Sequence, residues 1–281
     1  MTNQIIMGNK LNGLDLFSGI GGLSLALEPW VETKVYCEND RHAQAVLLSR
    51  MADNRLHRAP IWDNITTLNK SMLPQIDIIF GGFPCQDISV AGAGKGLEGK
   101  RSGLFFEIIR LVKEISPSFV FLENVPTIRT RGLLTVANEF TEMGYDCRWT
   151  CITASSIGAP HKRERWFLLA HTRNGRRGKL FQSQQIEGGK KKTDFGSDGK
   201  VQFVADTVLK GLEGATGSIL QRHSNRFTES RWAIEKQWAI EPDVGRVANG
   251  IPLRVDRIKR LGNAVVPQQG RIAFQKLLNL V

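Results

Sequence analysis

The 281-residue chain contains little cysteine and no long apolar run. Its four cysteines are too few for a secreted domain that depends on disulfides. No stretch approaches the ~20 consecutive apolar residues of a membrane-spanning helix, and residues 1–11 lack the apolar segment of a signal peptide. Hydrophobic residues make up 41% and charged residues 23%, as is usual for globular domains. We therefore expect a cytoplasmic globular protein without a membrane partner.

Positive charge is concentrated towards the C-terminal end of the chain. The net charge is +11, and residues 1–171 contain 18 Lys/Arg against 17 Asp/Glu. Residues 172–245 contain 13 against 9, and residues 246–281 contain 7 against 1. This asymmetry favours a polyanionic partner, nucleic acid before membrane. A solvated basic surface would give the same counts, so charge alone does not decide.

Short apolar runs alternate with helical patterns over the first 171 residues. The runs predict buried strands at residues 14–17, 34–37, 76–80, 119–122 and 166–170. Helical spacing appears at residues 23–28, 40–50, 104–115, 133–143 and 268–280, with Ser102 as a plausible N-cap for the third of these. The alternation predicts an α/β fold with a mostly parallel sheet that is covered on both faces. Ligands of such sheets bind at the carboxyl ends of the strands.

Residues 15–22 combine the end of a predicted strand with a glycine-rich turn, which allows the backbone to approach a ligand closely. Alone, this pattern fits a nucleotide, S-adenosylmethionine or a simple tight turn. Glu38 ends the next predicted strand, where a carboxylate can accept hydrogen bonds from both hydroxyls of a ribose. Asp63 can accept one from an adenine amino group. Each acid alone is more often a helix cap or a surface group, but together they predict an adenosine pocket.

Cys85 follows a predicted strand in the sequence Gly-Gly-Phe-Pro-Cys-Gln and precedes a glycine-rich segment at residues 87–102. A free thiol is usually a buried structural group. A turn at the ligand-binding edge of the sheet favours a nucleophile instead, and the segment after it has the composition of a mobile lid. Cys37, Cys147 and Cys151 lack such surroundings, and we interpret them as structural.

Glu123 ends another buried strand, where a carboxylate must be paired or protonated. This placement suits a group that donates a proton, although a helix cap is the simpler interpretation. Arg163 and Arg165 alternate just before the last predicted strand and should point the same way. Together they can bind a phosphate and a pyrimidine carbonyl, whereas alone they would be an ordinary exposed charge run.

In this order, the motifs resemble those of the bacterial and phage DNA cytosine-5 methyltransferases over nearly the whole chain. The matching elements are residues 15–22, 38, 63, 82–86, 123–125, 163–165 and 261–267. The resemblance implies a Rossmann-like, S-adenosyl-L-methionine-dependent methyltransferase fold with a smaller target-recognition domain. It implies a catalytic, cofactor-binding domain at residues 1–171, the target-recognition domain at 172–245 and a return into the catalytic domain at 246–281.

The resemblance also assigns roles to individual residues. Cys85 would be the nucleophile, Glu123 the acid at cytosine N3, Arg165 a contact to the base carbonyl and Arg163 a ligand of the DNA backbone phosphate. No metal is implied. His161 departs from the family, in which many members have glutamine. The residues implied to bind S-adenosyl-L-methionine are Phe17, Gly19, Ile20, Gly21, Gly22, Glu38, Asn39, Asp63, Asn64, Pro84, Asn263 and Ala264.

The expected function is methyl transfer to C5 of a flipped-out cytosine in a specific duplex DNA sequence, through a covalent adduct between Cys85 and C6. A tRNA cytosine-5 methyltransferase on the same fold is an alternative, because relatives that act on RNA share the Pro-Cys-Gln and Glu-Asn-Val elements. A catalytically inactive DNA-binding protein is another, which the presence of Cys85, Glu123 and Arg165 disfavours. We expect a monomer in a bacterial or phage-infected cell, with a cognate restriction endonuclease as a candidate partner.

The predicted boundaries of the recognition segment can be tested by exchange. Replacing residues 172–245 by the corresponding segment of another family member should change which sequence is methylated, because base readout depends on a few side chains in that segment. Bisulfite sequencing of DNA from expressing cells reads out the target. An unchanged target sequence would refute these boundaries.

Overall fold

The computed structural model describes residues 10–84, 103–172 and 264–278. The strands are β1 Leu11–Leu16, β2 Val31–Cys37, β3 Ile61–Trp62, β4 Ile78–Gly82, β5 Phe119–Asn124, β6 Tyr145–Thr153 and β7 Glu164–Thr172. The α-helices are α1 Gly22–Leu27, α2 Arg41–Ala52, α3 Gly103–Ile115, α4 Ile128–Arg131, α5 Leu133–Glu142 and α6 Pro267–Leu277. Two 3-10 helices, Lys70–Met72 and Ser155–Ile157, complete the described elements.

The seven strands form one sheet in the order β3-β2-β1-β4-β5-β7-β6. The first five strands in this order, from β3 to β5, pair in parallel, and β7 pairs antiparallel with both β5 and β6. The strand order reverses direction between β1 and β4, which is the switch point where open α/β sheets bind ligands. The predicted α/β class and the mostly parallel sheet are confirmed.

The central strands are apolar on both faces because helices cover both sides of the sheet. In β7, Trp166, Leu168 and Ala170 join one core cluster, whereas Phe167 and Leu169 join the other. The same alternation in β5 divides Val120 and Leu122 from Phe119 and Phe121. Such strands appear in sequence as continuous apolar runs, which is why they could be predicted.

Helices α3 and α5 cover one face of the sheet, and α1 and α6 cover the other. In α3 the buried positions follow the three- and four-residue spacing of an amphipathic helix: Phe105, Ile108, Ile109, Leu111 and Val112. In α6, Phe274 is fully buried, and its ring lies 5.2 Å from that of Phe121 and 5.4 Å from that of Trp30. Helix α6 is therefore part of the core that covers this face of the sheet.

The apolar runs and helical spacings of the sequence predict five of the strands and the five longer helices, with boundaries shifted by a few residues. Strands β3 and β6 and helix α4 have no such signal and are not predicted. In β6 the buried Tyr145, Cys147 and Trp149 alternate with polar residues, so this strand at the sheet's edge has no apolar run. The whole segment at 87–102, including Ser102, and residues 173–245 lie outside the described residues.

None of the described helices has the length and apolar character needed to cross a membrane.

The burial of α6 predicts a large cost for truncating Phe274. The Phe274→Ala variant should lose about 3–5 kcal/mol of unfolding free energy, the usual cost of emptying an aromatic site in a core. Leu134→Ala is the matched control, because Leu134 is 70% exposed and should cost no more than about 0.5 kcal/mol. Urea denaturation of the full chain measures both. Equal, small losses would show that α6 does not dock in the core.

Candidate active site

A cavity of about 460 Å³ opens at the switch point of the sheet. Its walls come from the turn after β1, the ends of β2, β4 and β5, the start of β7 and the segment before α6. The volume lies in the range of sites that enclose a small organic ligand. The lining residues are Asp15, Phe17, Ser18, Gly19, Ile20, Gly22, Leu23, Glu38, Asp40, Ala43, Gly82, Phe83, Pro84, Glu123, Asn124, Val125, Arg165, Ala264 and Val265.

The turn after β1 uses left-handed backbone geometry at three positions. Phe17, Gly19 and Gly21 have φ values of 53°, 54° and 84°. At Gly21 a Cβ atom would also lie 2.5 Å from a methyl group of Leu56, so glycine is required there on two counts. The hydroxyl of Ser18 donates to the Asp15 carbonyl oxygen over 2.8 Å and closes the turn.

Glu38 is held at the end of β2 by backbone amides on both of its carboxylate oxygens. The Gly19 N–H donates to Oε2 over 2.7 Å, and the Asp40 N–H donates to Oε1 over 2.8 Å. Each oxygen retains a further lone pair that can accept a hydrogen bond. The carboxylate is thereby fixed in one orientation and still able to bind a pair of neighbouring hydroxyls.

Asp15 is a second acid in the cavity wall, and sequence reasoning did not select it as a site residue. Its side chain is buried, and the Ser24 hydroxyl donates to Oδ2 over 2.7 Å. Burial raises the pKa of this carboxyl to about 8, against the hydrogen bond from Ser24. The group is therefore mostly protonated at neutral pH. The sequence contains a signal for this residue, because Asp15 is an acid within an apolar strand just before a glycine turn.

Glu123 and Arg165 form a half-buried ion pair at the opposite side of the cavity. Arg165 Nε lies 2.8 Å from Glu123 Oε1. The antiparallel register sets Glu123 opposite Phe167, so Arg165 lies on the same face of the sheet two residues earlier. A Cβ atom at Gly82 would lie 2.6 Å from Glu123 Oε2, so any larger residue there would displace the carboxyl group.

The environment of Glu123 favours proton exchange near neutral pH. Burial raises its pKa to about 7, and the positive charges of Arg165 and Arg163 oppose this rise. The carboxyl group is therefore present in both protonation states at physiological pH. A group in this condition is suited to donate a proton to a bound base.

Asn124 fixes the backbone that leads to Cys85. Its Nδ2 donates to the Phe83 carbonyl oxygen over 3.1 Å, and its Oδ1 accepts from the Val125 N–H over 2.8 Å. Because Asn124 is buried, both contacts are shielded from water. The peptide that precedes Pro84 is thus held against the end of β5.

The structure brings together many of the predicted site residues. Those that line the cavity are Phe17, Gly19, Ile20, Gly22, Glu38, Pro84, Glu123, Arg165 and Ala264. Gly21, Asn39, Asp63, Asn64 and Arg163 are described but do not line it. Cys85 and Asn263 lie outside the described residues.

Asp63 and Asn64 are exposed residues that follow β3. The Asn64 Oδ1 atom accepts hydrogen bonds from the N–H and the hydroxyl of Thr66. Asn64 therefore shapes the local turn. The cavity residues that sequence reasoning missed are Asp15, Ser18, Leu23, Asp40, Ala43, Gly82, Phe83, Asn124, Val125 and Val265.

The three described cysteines fit the structural role expected of them. Burial raises the pKa of Cys37 and Cys147 to about 12 and that of Cys151 to about 11. These groups remain thiols at neutral pH and are poor nucleophiles. Within the described ranges there is no cluster of three or more side chains suited to hold a metal ion.

Comparison with known proteins identifies the family. The protein-family model of the C-5 cytosine-specific DNA methylases matches residues 11–260 of this chain. Type II methyltransferase M.CviJI of Paramecium bursaria Chlorella virus IL3A is 40% identical over 159 residues, which cover 56% of this chain and 42% of that protein. Type II methyltransferase M.HhaI of Haemophilus parahaemolyticus is 38% identical over 172 residues, which cover 58% of this chain and 51% of that protein. The chain thus matches about half the length of these relatives.

Among solved structures, the Dnmt2 methyltransferase of S. pombe covers 97% of this chain and 99% of its own, with a TM-score of 0.56. At 16% identity this likeness concerns the fold alone.

The protonation of Glu123 can be measured directly. An infrared difference spectrum between the wild type and Glu123→Gln should show a protonated carboxyl band at pH 6 that disappears by pH 8. In Arg165→Met the same band should persist to higher pH, because the positive charge that lowers the pKa is gone. A wild-type carboxylate that is fully ionised at pH 6 would contradict the assignment.

Proposed function

The chain belongs to the C-5 cytosine-specific DNA methylase family, and on this premise we propose that it transfers a methyl group from S-adenosyl-L-methionine to C5 of a cytosine in duplex DNA. The observation that carries the proposal is the continuity of the cavity. The glycine turn and Glu38 form one side, and the Glu123–Arg165 pair forms the other. One cavity therefore contains both a site suited to bind a nucleoside and an acid, Glu123, that is suited to protonate a pyrimidine base.

The cavity residues fit S-adenosyl-L-methionine by their chemistry. Glu38 presents a fixed carboxylate to hydroxyl donors, and the Phe17 ring and Leu23 supply apolar surface. Asp40 adds a further acid to the wall, which suits a positively charged ligand. When bound, this cofactor supplies a methyl group on a positively charged sulfur. Asn39, Asp63, Asn64 and Asn263 remain proposed contacts on the strength of the family resemblance.

The chain's own groups would activate the cytosine. Carbon C5 of cytosine is a weak nucleophile, so the Cys85 thiolate adds to C6 while Glu123 delivers a proton to N3. The electron pair from the C5–C6 bond then makes C5 nucleophilic. After C5 has gained the methyl group, it loses its proton to solvent water, the C5–C6 double bond forms again, and the bond between C6 and sulfur breaks to release the Cys85 thiolate. N3 then returns its proton to Glu123. Arg165 holds Glu123 in place and is close enough to the cavity to contact the base carbonyl.

The cytosine must leave the double helix to reach such a cavity, as methyltransferases require of their target bases. In its protonated form, Glu123 places no negative charge next to the incoming nucleotide. We propose that residues 172–245 read the sequence and that the positive surplus beyond residue 171 binds the backbone. A monomer in the cytoplasm of a bacterial or phage-infected cell, with a cognate restriction endonuclease as a further partner, completes the proposal.

A transfer assay tests the proposed reaction. Labelled S-adenosyl-L-methionine should pass its methyl group to duplex DNA and not to tRNA. Cys85→Ser should reduce turnover to background while the affinity for the cofactor survives, because the hydroxyl is a much weaker nucleophile than a thiolate. Cys151→Ser is the matched control and should retain activity, since this thiol lies outside the cavity lining.

The outcomes separate the alternatives. Label in tRNA alone would favour the RNA-modifying reaction. DNA binding with no transfer by the wild type would favour an inactive DNA-binding protein. Transfer by Cys85→Ser at the wild-type rate would remove Cys85 from the mechanism.

A further inference from the structure

Arg163 makes a contact that differs from the expected phosphate binding. Its Nη2 atom donates to the carbonyl oxygen of Ala264 over 2.6 Å. Ala264 is the first described residue of the C-terminal return, and it lines the cavity together with Val265. A residue just before β7 therefore holds a segment that lies 101 positions later in the chain.

A second side chain bonds the same two segments in the opposite direction. Gln269, in the first turn of α6, donates from Nε2 to the carbonyl oxygens of Arg163 over 2.6 Å and of Ile152 over 2.9 Å. Ile152 is the partner of Arg165 in the β6–β7 ladder. The pair Arg163 and Gln269 thus forms a reciprocal latch beside the residue that holds Glu123.

The latch is partly shielded from water. Gln269 is fully buried, and Arg163 is half-buried, with desolvation lowering the pKa of its guanidinium. A hydrogen bond from a charged donor to a shielded carbonyl is stronger than one between neutral groups, and its loss leaves the carbonyl unsatisfied. Ala264 would then be free to move away from β7.

The latched segment is also part of the cavity wall next to the glycine turn. A Cβ atom at Gly22 would lie 3.0 Å from the carbonyl oxygen of Val265, so the segment packs directly on the start of α1. Farther along, α6 is held independently by Phe274 in the core and by Arg271, which donates to the carbonyl oxygens of Ala26 and Leu25. Removing the Arg163 contact should loosen the wall without undocking the helix.

From these contacts we infer that Arg163 is a positioning residue for the cofactor side of the cavity. Its guanidinium binds a carbonyl oxygen of the protein itself rather than a phosphate of the DNA backbone. This inference rests on the proposed function in that the ligand of the cavity is S-adenosyl-L-methionine. Arg163 and Gln269 together hold residues 264 and 265 in place as part of the cavity wall. Arg163 then governs cofactor affinity, and Arg165 governs the state of Glu123.

Two binding measurements on the full chain distinguish this role from phosphate binding. The first is the affinity for S-adenosylhomocysteine without DNA, by calorimetry, for the wild type, Arg163→Met, Arg163→Lys and Gln269→Met. The second is the salt dependence of duplex DNA binding between 50 and 200 mM salt, conditions under which each lost phosphate contact lowers the slope by about one. Lys162→Met is the matched control, because it removes the same charge from an exposed neighbouring residue.

The latch predicts that Arg163→Met and Gln269→Met each weaken S-adenosylhomocysteine binding by about ten-fold or more. Arg163→Lys should recover part of the loss, Lys162→Met should bind like the wild type, and the salt slope of Arg163→Met should equal that of the wild type. An unchanged S-adenosylhomocysteine affinity in Arg163→Met, with a salt slope reduced by about one, would overturn the inference.

Amide hydrogen exchange keeps the test independent of the ligand. In Arg163→Met without ligand, peptides that cover residues 264–270 should exchange faster, while peptides from β5 should not change. Unchanged exchange at residues 264–270 would contradict the latch even if the wild type binds no S-adenosylhomocysteine. Failure of the wild type to bind that ligand would instead count against the proposed function.

Discussion

The ion pair of Glu123 and Arg165 is the constraint on which the site depends. A carboxyl group at the end of a buried strand is costly unless it is protonated or paired, and here both remedies are in use. The pairing requires β7 to run antiparallel beside β5, and the space for the carboxyl group requires glycine at position 82. Sheet topology, local sequence and proton chemistry therefore support one another at this point.

The cavity is closed by residues that are far apart in sequence. The glycine turn after β1 and the segment at residues 264–265 form neighbouring walls, although more than 240 positions separate them. Thr172, at the end of β7, donates its N–H to Ser118 just before β5, at the opposite edge of the sheet. The end of β7 therefore lies away from the cavity, whereas residues 264 and 265 lie beside it, where Arg163 and Gln269 bind this segment and its neighbours.

Local patterns predicted the central part of this arrangement, because buried strands and glycine turns leave continuous signals in sequence. Glu38, Glu123 and Arg165 were assigned from their positions at strand ends, and all three line the cavity. Contacts between distant segments leave no such pattern in the sequence. The roles of Gln269 and Asn124 in shaping the site could therefore not be predicted. The exposure of Asp63 and Asn64 could not be predicted either, because it depends on how the loop after β3 turns.

We propose that one cavity holds the reacting cytosine between Cys85 and a protonated Glu123. The most direct test of this proposal is a crystal structure with S-adenosyl-L-methionine and a duplex that contains the methylated site, in which the target cytosine carries fluorine at C5. Fluorine cannot leave as the proton does, so the bond to the enzyme persists. We expect continuous density from Cys85 Sγ to C6 and a Glu123 oxygen within hydrogen-bonding distance of N3. A base held without a bond to Cys85, or with N3 turned away from Glu123, would contradict it.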